Sequence, residues 1–230
     1  MPALLLEARV ETIELNVLRR RPSFQGGEVS PLAQSLTDPA RDEHQARGFG
    51  FWEFLLAKAV TTDSGTRGDL LRAALRHNSD GATRIALGRE EFVELLGAGE
   101  YANLSPRELV SFCSSVVVAD TKQPMHLPLL DLGVKPGSDG EASAIDAIHA
   151  LGLRGLLYMS GRSYHFYGAE PVALPDLVAI LGRSQLLSPI VDSRWVSHQL
   201  MDGRCGLRIS TDSEKAPVAP VFVTKVGTIV

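Results

Sequence analysis

The N-terminal half of the chain has apolar residues at helical spacing, separated by polar connections. Residues 51–60, 70–76 and 90–96 each place apolar side chains three and four positions apart, and this pattern predicts three helices. Ser105-Pro-Arg-Glu108 combines a capping serine, a proline suited to the first turn and a glutamate that completes a capping box. A fourth helix is therefore predicted from Ser105 to Cys113.

Two further N-terminal segments have a less distinct pattern. Residues 7–18 fit a strand or a helix, and their periodicity does not decide between the two. Residues 31–47 are polar and are predicted to be irregular. The chain up to residue 115 is thus expected to be mostly helical.

From residue 116 onwards the pattern changes to short apolar runs bounded by turn residues. The order of elements from residue 127 is β-α-β-β-α-β with an extra hairpin strand, which is the order of a ferredoxin-like or RNA-recognition-like fold. We expect an α+β fold in which an antiparallel sheet lies under two helices and keeps one face for a site. The predicted strands are residues 116–119, 127–134, 155–160, 163–167, 189–192, 195–201 and 204–210, the last two joined at Asp202-Gly203, and the predicted helices are residues 141–151 and 174–187.

The composition fits one globular domain over residues 1–230, with a helical part at 1–115 and a sheet core at 116–230. Of the 230 residues, 44% are hydrophobic and 22% are charged, which is ordinary for a globular protein. The early apolar run at residues 3–6 is too short for a signal peptide or a membrane span, so a cytoplasmic protein without a membrane partner is expected. The net charge of −4 argues against a protein that coats nucleic acid through bulk charge, and it leaves room for a local phosphate-binding cleft.

The segment from Tyr158 to Gly168 carries the first candidate chemistry. Gly161-Arg162 forms a predicted two-residue turn, and alternation along the next strand places Ser163, His165 and Tyr167 on one face. A hydroxyl and an imidazole beside a glycine-containing turn are suited to binding an anion. A half-buried hairpin with a structural histidine gives the same pattern, and this segment alone does not separate the two interpretations.

Two short apolar strands end in an aspartate, Asp131 and Asp192. The first and last strands of a ferredoxin-like unit lie near each other, so these carboxylates are candidates to share Mg²⁺ or Mn²⁺, cations that prefer oxygen ligands. The structural alternatives are turn caps or, for Asp192, an ion pair with Arg194. On a later strand Arg208 and Ser210 share a face, where a guanidinium is suited to grip a phosphate, although an exposed strand arginine without a ligand fits as well.

This series of strand-borne residues resembles the motifs of the archaeo-eukaryotic primase superfamily, the primase-polymerases. Leu129-Leu-Asp131 is similar to the first motif, and Ser160-Gly-Arg-Ser-Tyr-His165 is similar to the second. Ile190-Val-Asp192 is similar to the third, and Leu207-Arg-Ile-Ser210 is similar to a later strand that supplies an arginine to the nucleotide. The resemblance covers roughly residues 116–210 and is closest to a bacterial branch described as primase-1D-like.

The resemblance implies a nucleotidyltransferase that binds a nucleoside triphosphate and acts on a nucleic-acid template or primer, in DNA replication or repair. It implies that Asp131 and Asp192 bind Mg²⁺ or Mn²⁺ and that they form the catalytic group together with His165. The residues that it implies in nucleotide binding are Ser160, Arg162, Ser163, His165, Arg208 and Ser210.

One position departs from the family pattern. The first motif continues as Asp131-Leu-Gly133, with glycine where the family has a second carboxylate, and the nearest substitutes along the chain are His126, Asp139 and Glu141. Two other functions therefore stay open. One is a catalytically inactive nucleotide or nucleic-acid binding module on the same fold, and the other is an RNA-recognition-like interaction domain that would use an exposed Tyr167 for base stacking.

Overall fold

The computed structural model describes residues 1–19, 35–47, 50–75, 82–98, 108–119, 123–211 and 217–227. The helices in these ranges are α1 (Pro2–Glu7), α2 (Thr37–Arg47), α3 (Phe51–Ala59), α4 (Ser64–Ala74), α5 (Arg89–Ala98), α6 (Ser138–Ala150), α7 (Leu174–Gln185) and α8 (Ser193–Asp202). The strands are β1 (Val10–Arg19), β2 (Thr83–Gly88), β3 (Glu108–Val118), β4 (Pro124–His126), β5 (Leu129–Leu132), β6 (Gly155–Met159), β7 (Tyr164–Gly168), β8 (Gly206–Arg208) and β9 (Val221–Val226). None of the described helices combines the length and the apolar character that crossing a membrane requires.

The chain divides into two compact units. The larger unit, residues 1–20 together with 81–230, contains every described strand and the helices α1 and α5–α8. The smaller unit, residues 21–80, contains α2, α3 and α4. All candidate site residues therefore belong to the larger unit. The buried residues that form the core of the smaller unit are Ala40, Leu55, Ala59 and Leu70.

The larger unit is built on two antiparallel sheets. Sheet I has the strand order β2-β1-β3-β4, with β8 also paired to β3, and sheet II has the order β5-β7-β6-β9. Apolar side chains from both sheets belong to one hydrophobic core. Phe112 of β3 meets Tyr167 of β7 edge to face, with ring centroids 5.9 Å apart. Sheet II is therefore packed against sheet I through aromatic side chains as well as aliphatic ones.

Sheet II confirms the predicted ferredoxin-like order of elements. After β5, α6, β6, β7 and α7 the chain returns to β5, where Val191 bridges Leu132 in the antiparallel sense. Helices α6 and α7 bury Ile148 and Leu177 in the core that the sheet shares. The strand predicted at residues 189–192 is only this one bridge, but it lies where the topology requires the last strand.

The helix predicted from Ser105 to Cys113 is wrong, because residues 108–118 form strand β3. Residues 105–107, which carry most of the apparent start signal, lie outside the described residues. In β3 the alternating Val110, Phe112 and Val116 are buried. Pairing with β1 on one side and with β4 and β8 on the other outweighs the local capping signal, since β preference is mostly a matter of such neighbours.

The hairpin predicted across Asp202-Gly203 is also wrong, because its first half is helix α8. Asp192 caps this helix by accepting a hydrogen bond from the Trp195 amide at 2.9 Å, and Gly203 ends it with a φ of 66°. A glycine in the left-handed region closes a helix as readily as a hairpin turn, so Asp-Gly was ambiguous. His198 consequently lies on a helix and not on a strand.

The remaining N-terminal predictions are mixed. The helices predicted near residues 51, 70 and 90 are confirmed as α3, α4 and α5. Residues 7–18 resolve into the end of α1 and most of β1. The prediction of irregular structure at residues 31–47 is wrong from Thr37 onwards, where α2 has Pro39 in its first turn, a position that suits proline. Residues 31–34 lie outside the described part of the chain.

Candidate functional site

Asp131 of β5 and Asp192, which follows the bridge residue Val191, lie opposite each other. Leu132 bridges Val191, and the Asp192 amide donates to the Asp131 carbonyl oxygen at 3.0 Å. This antiparallel register sets Asp131 opposite Asp192, and directly opposed residues project from the same face of a sheet. The two carboxylates therefore lie on one side of sheet II, as a shared cation site requires.

The Asp131 carboxyl is a weaker acid than an ordinary aspartate. Burial, and then the negative charge of Asp192, raise its pKa to about 7, while a hydrogen bond from Ser163 and the positive charge of Arg208 oppose the rise. Asp192 is exposed, and one of its carboxylate oxygens caps α8, so the predicted structural role as a cap is present alongside the pairing with Asp131. Two carboxylates in this relation favour a proton or a cation between them.

The turn between β6 and β7 places two hydroxyls beside the carboxylates. Gly161 has a φ of 107°, a conformation that favours glycine, and the Ser160 amide donates to the Ser163 carbonyl oxygen at 2.9 Å. The hydroxyl oxygens of Ser160 and Ser163 are 2.9 Å apart, and the Ser163 hydroxyl donates to Oδ1 of Asp131 at 3.5 Å. Arg162 is exposed at the tip of this turn.

His165 lies in the middle of sheet II, opposite Asp131 on β5 and Tyr158 on β6. Its side chain is 6% exposed, and burial, followed by the charge of Arg208, lowers its pKa to about 3. A hydrogen bond to the Arg208 backbone acts in the opposite direction and raises the pKa of His165. A bond with this effect is one in which the ring N–H donates and the Arg208 carbonyl oxygen accepts. Nδ1 is buried and has no hydrogen-bond partner among the described residues, and it therefore carries the lone pair of a neutral ring.

Arg208 reaches the site from β8 of sheet I. Its guanidinium donates to the Ser160 carbonyl oxygen at 2.6 Å, to the Val218 carbonyl oxygen at 3.4 Å and to the Ser210 carbonyl oxygen. These bonds connect the arginine of one sheet to the hairpin turn of the other. They also hold a positive charge close enough to Asp131 to oppose the rise in its pKa.

Two of the serines predicted to bind nucleotide are engaged in the fold. Ser160 is 5% exposed and Ser210 is 1% exposed. The Ser210 hydroxyl accepts a hydrogen bond from the Val110 amide at 3.0 Å and donates to the Thr211 carbonyl oxygen at 3.3 Å. Their contact with a nucleotide stays a prediction. Asp131, Ser163, His165, Asp192 and Arg208 are the predicted residues that the structure brings together.

None of the substitutes considered for the missing carboxylate completes a metal site. Among the described residues, no group of three Asp, Glu, His or Cys side chains is arranged to hold a metal ion. His126 is buried and hydrogen-bonded to a serine of β3, and Asp139 and Glu141 lie in the first turn of α6. The carboxylate pair of Asp131 and Asp192 is therefore the oxygen-donor set that the described site offers.

Two aromatic features differ from the sequence analysis. Strand β9 was not predicted, although its run from Val221 to Val226 is rich in β-branched residues, a usual strand signal. It places Phe222 beside Tyr158, with ring centroids 5.6 Å apart.

The prediction that Tyr167 is exposed is wrong, since it is 1% exposed and packs on Phe112. Alternation assigns a residue to a face, but it does not tell which part of that face a second sheet covers.

Comparison with known proteins points to one family. The sequence model of the family described as AEP-like, archaeo-eukaryotic primase 1D-like, matches residues 89–221. This segment includes the converging site residues and more than half of the chain. No curated protein and no solved structure gives a significant match. The chain belongs to the archaeo-eukaryotic primase 1D-like family.

Proposed function

We propose that this protein is a primase-polymerase-type nucleotidyltransferase that binds a nucleoside triphosphate with a divalent cation and extends a nucleic-acid strand. The observation that carries the proposal is the pairing of Asp131 and Asp192 on one sheet face beside Ser163, His165 and Arg208. In this reaction a 3′-hydroxyl oxygen bonds to the α-phosphorus, the bond to the β-phosphate oxygen breaks, pyrophosphate leaves and the hydroxyl proton passes to water.

The donor set fits one Mg²⁺ or Mn²⁺. Proteins commonly bind Mg²⁺ through one or two carboxylates together with water and substrate phosphates, and Asp131 and Asp192 supply two carboxylates. The charge of Asp192 that helps to raise the pKa of Asp131 also favours a cation between them. A bound cation would neutralise charge that develops at the α-phosphate and on the leaving group.

The phosphate side of the site consists of Arg208, Ser163 and His165. The Arg208 guanidinium is held by backbone carbonyl oxygens, so its charge is in position without a ligand. The Ser163 hydroxyl contacts the Ser160 hydroxyl at 2.9 Å, and its hydrogen bond to Asp131 is long, at 3.5 Å, so a phosphate oxygen can replace the latter. His165 is neutral, and it donates from Nδ1 to a phosphate only after taking up a proton, which a nearby anion favours. We therefore assign His165 to orienting phosphate and not to removing a proton.

The test is incorporation of labelled nucleotides with Mn²⁺ or Mg²⁺ on primed and unprimed templates, beside Asp131→Asn and Asp192→Asn. Replacing a direct ligand should cost more than the roughly 100-fold that outer partners of a metal can contribute, so incorporation should fall at least that far in both variants. Asparagine still caps helices, so Asp192→Asn leaves α8 intact.

Asp139→Asn is the matched control, because Asp139 is an exposed carboxylate in the first turn of α6 outside the site. This variant should incorporate nucleotides at the wild-type rate. A wild-type protein that incorporates nothing with either cation on any template overturns the proposed activity.

A catalytically inactive nucleotide-binding module is the second candidate, and Gly133 favours it. With glycine at this position, the described residues offer two carboxylates and no third ligand. This candidate predicts Mn²⁺-dependent nucleotide binding that His165→Ala or Arg208→Ala removes, without incorporation. Incorporation that depends on both aspartates rejects it.

A further inference from the structure

A row of side chains crosses sheet II from the carboxylates to the β9 edge. The register partners Asp131, His165, Tyr158 and Phe222 follow one another on β5, β7, β6 and β9. Exposure rises from 6% at His165 to 50% at Phe222. The row that begins at the proposed cation site therefore ends in an aromatic ring that faces solvent.

The Phe222 ring packs on an aromatic neighbour in the sheet. It meets Tyr158 edge to face at a centroid distance of 5.6 Å and an interplanar angle of 73°, and Tyr158 meets the buried Tyr167 in the same way at 5.3 Å. Such edge-to-face contacts favour defined ring geometry. A half-exposed ring that packs in this way offers a flat apolar surface to a ligand.

Positive charge lies at both ends of this surface. Strand β9 begins at Val221, which pairs with Met159 at the end of β6. The turn that follows Met159 carries the exposed Arg162. Further along, the exposed Lys225 pairs with Leu156, which lies on the same side of β6 as Tyr158. Along the direction of the strand, Phe222 therefore lies between the end of the sheet that carries the Arg162 turn and the exposed Lys225.

We propose that Phe222 stacks on a base of the single-stranded nucleic acid that leads to the Asp131–Asp192 site, with the phosphates of that strand near Arg162 and Lys225. This inference rests on the proposed function and adds the class of partner, a single strand. Aromatic side chains flanked by basic groups hold single strands with little sequence preference, because every base has a flat face. The flanking cations and the continuity with the carboxylate site favour a nucleic acid over an apolar protein partner.

The test measures the affinity of the protein for a short, end-labelled oligothymidine. Fluorescence anisotropy in a buffer with Mg²⁺ reports the binding. Phe222→Ala should weaken the affinity about 10-fold, within the range for loss of one stacked base, and Phe222→Trp should keep it. Val221→Ala is the matched control. Val221 is 48% exposed on the same strand, but its partner Met159 belongs to the opposite face of the sheet.

A second probe is the same oligonucleotide with abasic sites, which keeps the phosphates and removes the bases. Wild type should bind it about as weakly as Phe222→Ala binds oligothymidine, and Phe222→Ala should lose little more. Thermal midpoints of both variants check that the fold is intact.

The outcomes separate this inference from the proposed function. Unchanged oligothymidine affinity in Phe222→Ala, in a protein whose incorporation depends on Asp131, overturns the stacking and leaves the activity in place. A loss of affinity in Phe222→Ala, in a protein that incorporates nothing, supports the stacking and overturns the activity. If sedimentation shows that Phe222→Ala only converts a dimer to a monomer, the ring belongs to a protein interface and the inference is overturned.

Discussion

The turn side of the site, formed by Ser160, Ser163 and Arg208, and the carboxylate side, formed by Asp131 and Asp192, differ in how they are stabilised. On the turn side, the hydroxyls contact each other and the guanidinium is bound to backbone carbonyl oxygens. On the carboxylate side, burial and the charge of Asp192 disfavour ionisation of Asp131. The fold thus organises the turn side without a ligand, whereas the carboxylate side needs a proton or a cation.

The difference follows from how each side is assembled. Ser160 and Ser163 are three positions apart in one hairpin, and Arg208, from a single strand of sheet I, donates a hydrogen bond to the Ser160 carbonyl oxygen. Asp131 and Asp192 come from strand ends far apart in sequence, and only one bridge aligns them. Nucleotide binding and catalysis should therefore respond differently to mutation, with binding governed by the turn side.

The largest effect on this comparison is expected from Arg208→Ala. Hydrogen bonds from a charged group contribute about 1.5–3 kcal/mol each, so nucleotide affinity should fall roughly 10- to 100-fold and the free energy of unfolding should fall by about 2 kcal/mol. Isothermal titration with a nucleoside triphosphate and urea unfolding measure the two effects. Arg208→Lys keeps the charge but not the planar fork, so it should give an intermediate affinity.

Arg204→Ala provides the control for this substitution. Arg204 lies four residues earlier and pairs with Glu14 at 2.9 Å, away from the hairpin turn. Its replacement should leave nucleotide affinity unchanged. If Arg208→Ala binds nucleotide as well as wild type does, the turn side is structural and its distinction from the carboxylate side is lost.

The parts of the site that the sequence predicted are those with local or topological signals. The strand of His165 and the turn at Gly161 follow from alternation and turn chemistry, and the meeting of Asp131 with Asp192 follows from the ferredoxin-like order. The bonds of Arg208 to the turn were not predictable, because they depend on how sheet I meets sheet II. The burial of Tyr167 was missed for the same reason.

The errors in the predicted fold have the same cause, which is that local sequence patterns do not show long-range pairing. Strand β3 begins beside a helix-start signal, yet its pairing with three other strands determines its structure. Helix α8 ends at a dipeptide that is equally typical of a hairpin, and its cap Asp192 also follows an apolar run, as the end of a strand would. Local chemistry predicted the elements correctly where it agreed with long-range pairing, and it failed where the two conflicted.

An intermediate effect is expected from pH, and it tests the carboxylate side. The pKa of Asp131 is about 7 in the folded protein, above the ordinary value of 3.8 for an aspartate, so between these values the folded state binds more protons than the unfolded state. Without a cation, the stability that Asp131 contributes should therefore be lost as pH rises from 3.8 to about 7. Because a cation replaces the proton, Mn²⁺ should raise the thermal midpoint by a few degrees at about pH 8 and by less at about pH 5.5.

Thermal melts with and without Mn²⁺ at the two pH values measure this effect. In Asp131→Asn the pH dependence of the Mn²⁺ stabilisation should be much reduced. His165 has the opposite effect on stability, because its pKa of about 3 lies below its ordinary value of 6.5 and the unfolded chain binds the extra proton between these values. This contribution is common to the melts with and without Mn²⁺, so it cancels when the two are compared. An equal stabilisation by Mn²⁺ at both pH values in the wild type would show that proton and cation do not compete at Asp131.

The smallest effect is expected from restoring a carboxylate with Gly133→Asp. Gly133 lies two residues after Asp131, on the same face of the strand, and a Cβ there would be 3.2 Å from the Pro189 carbonyl oxygen. The backbone must therefore shift by a few tenths of an ångström, and a third negative charge adds repulsion in the absence of metal. We expect the free energy of unfolding without metal to fall by about 1 kcal/mol and Mn²⁺ affinity to rise a few-fold.

Gly133→Asn separates the steric cost from the charge, because it has nearly the same shape and no negative charge. Both variants should lose similar stability in saturating Mn²⁺, but only the aspartate should gain cation affinity and nucleotide incorporation. Such a gain would show that the missing carboxylate limits the chemistry while the turn side already suffices for binding. Equal behaviour of the two variants would show instead that the close approach of Pro189 keeps this position from serving as a ligand.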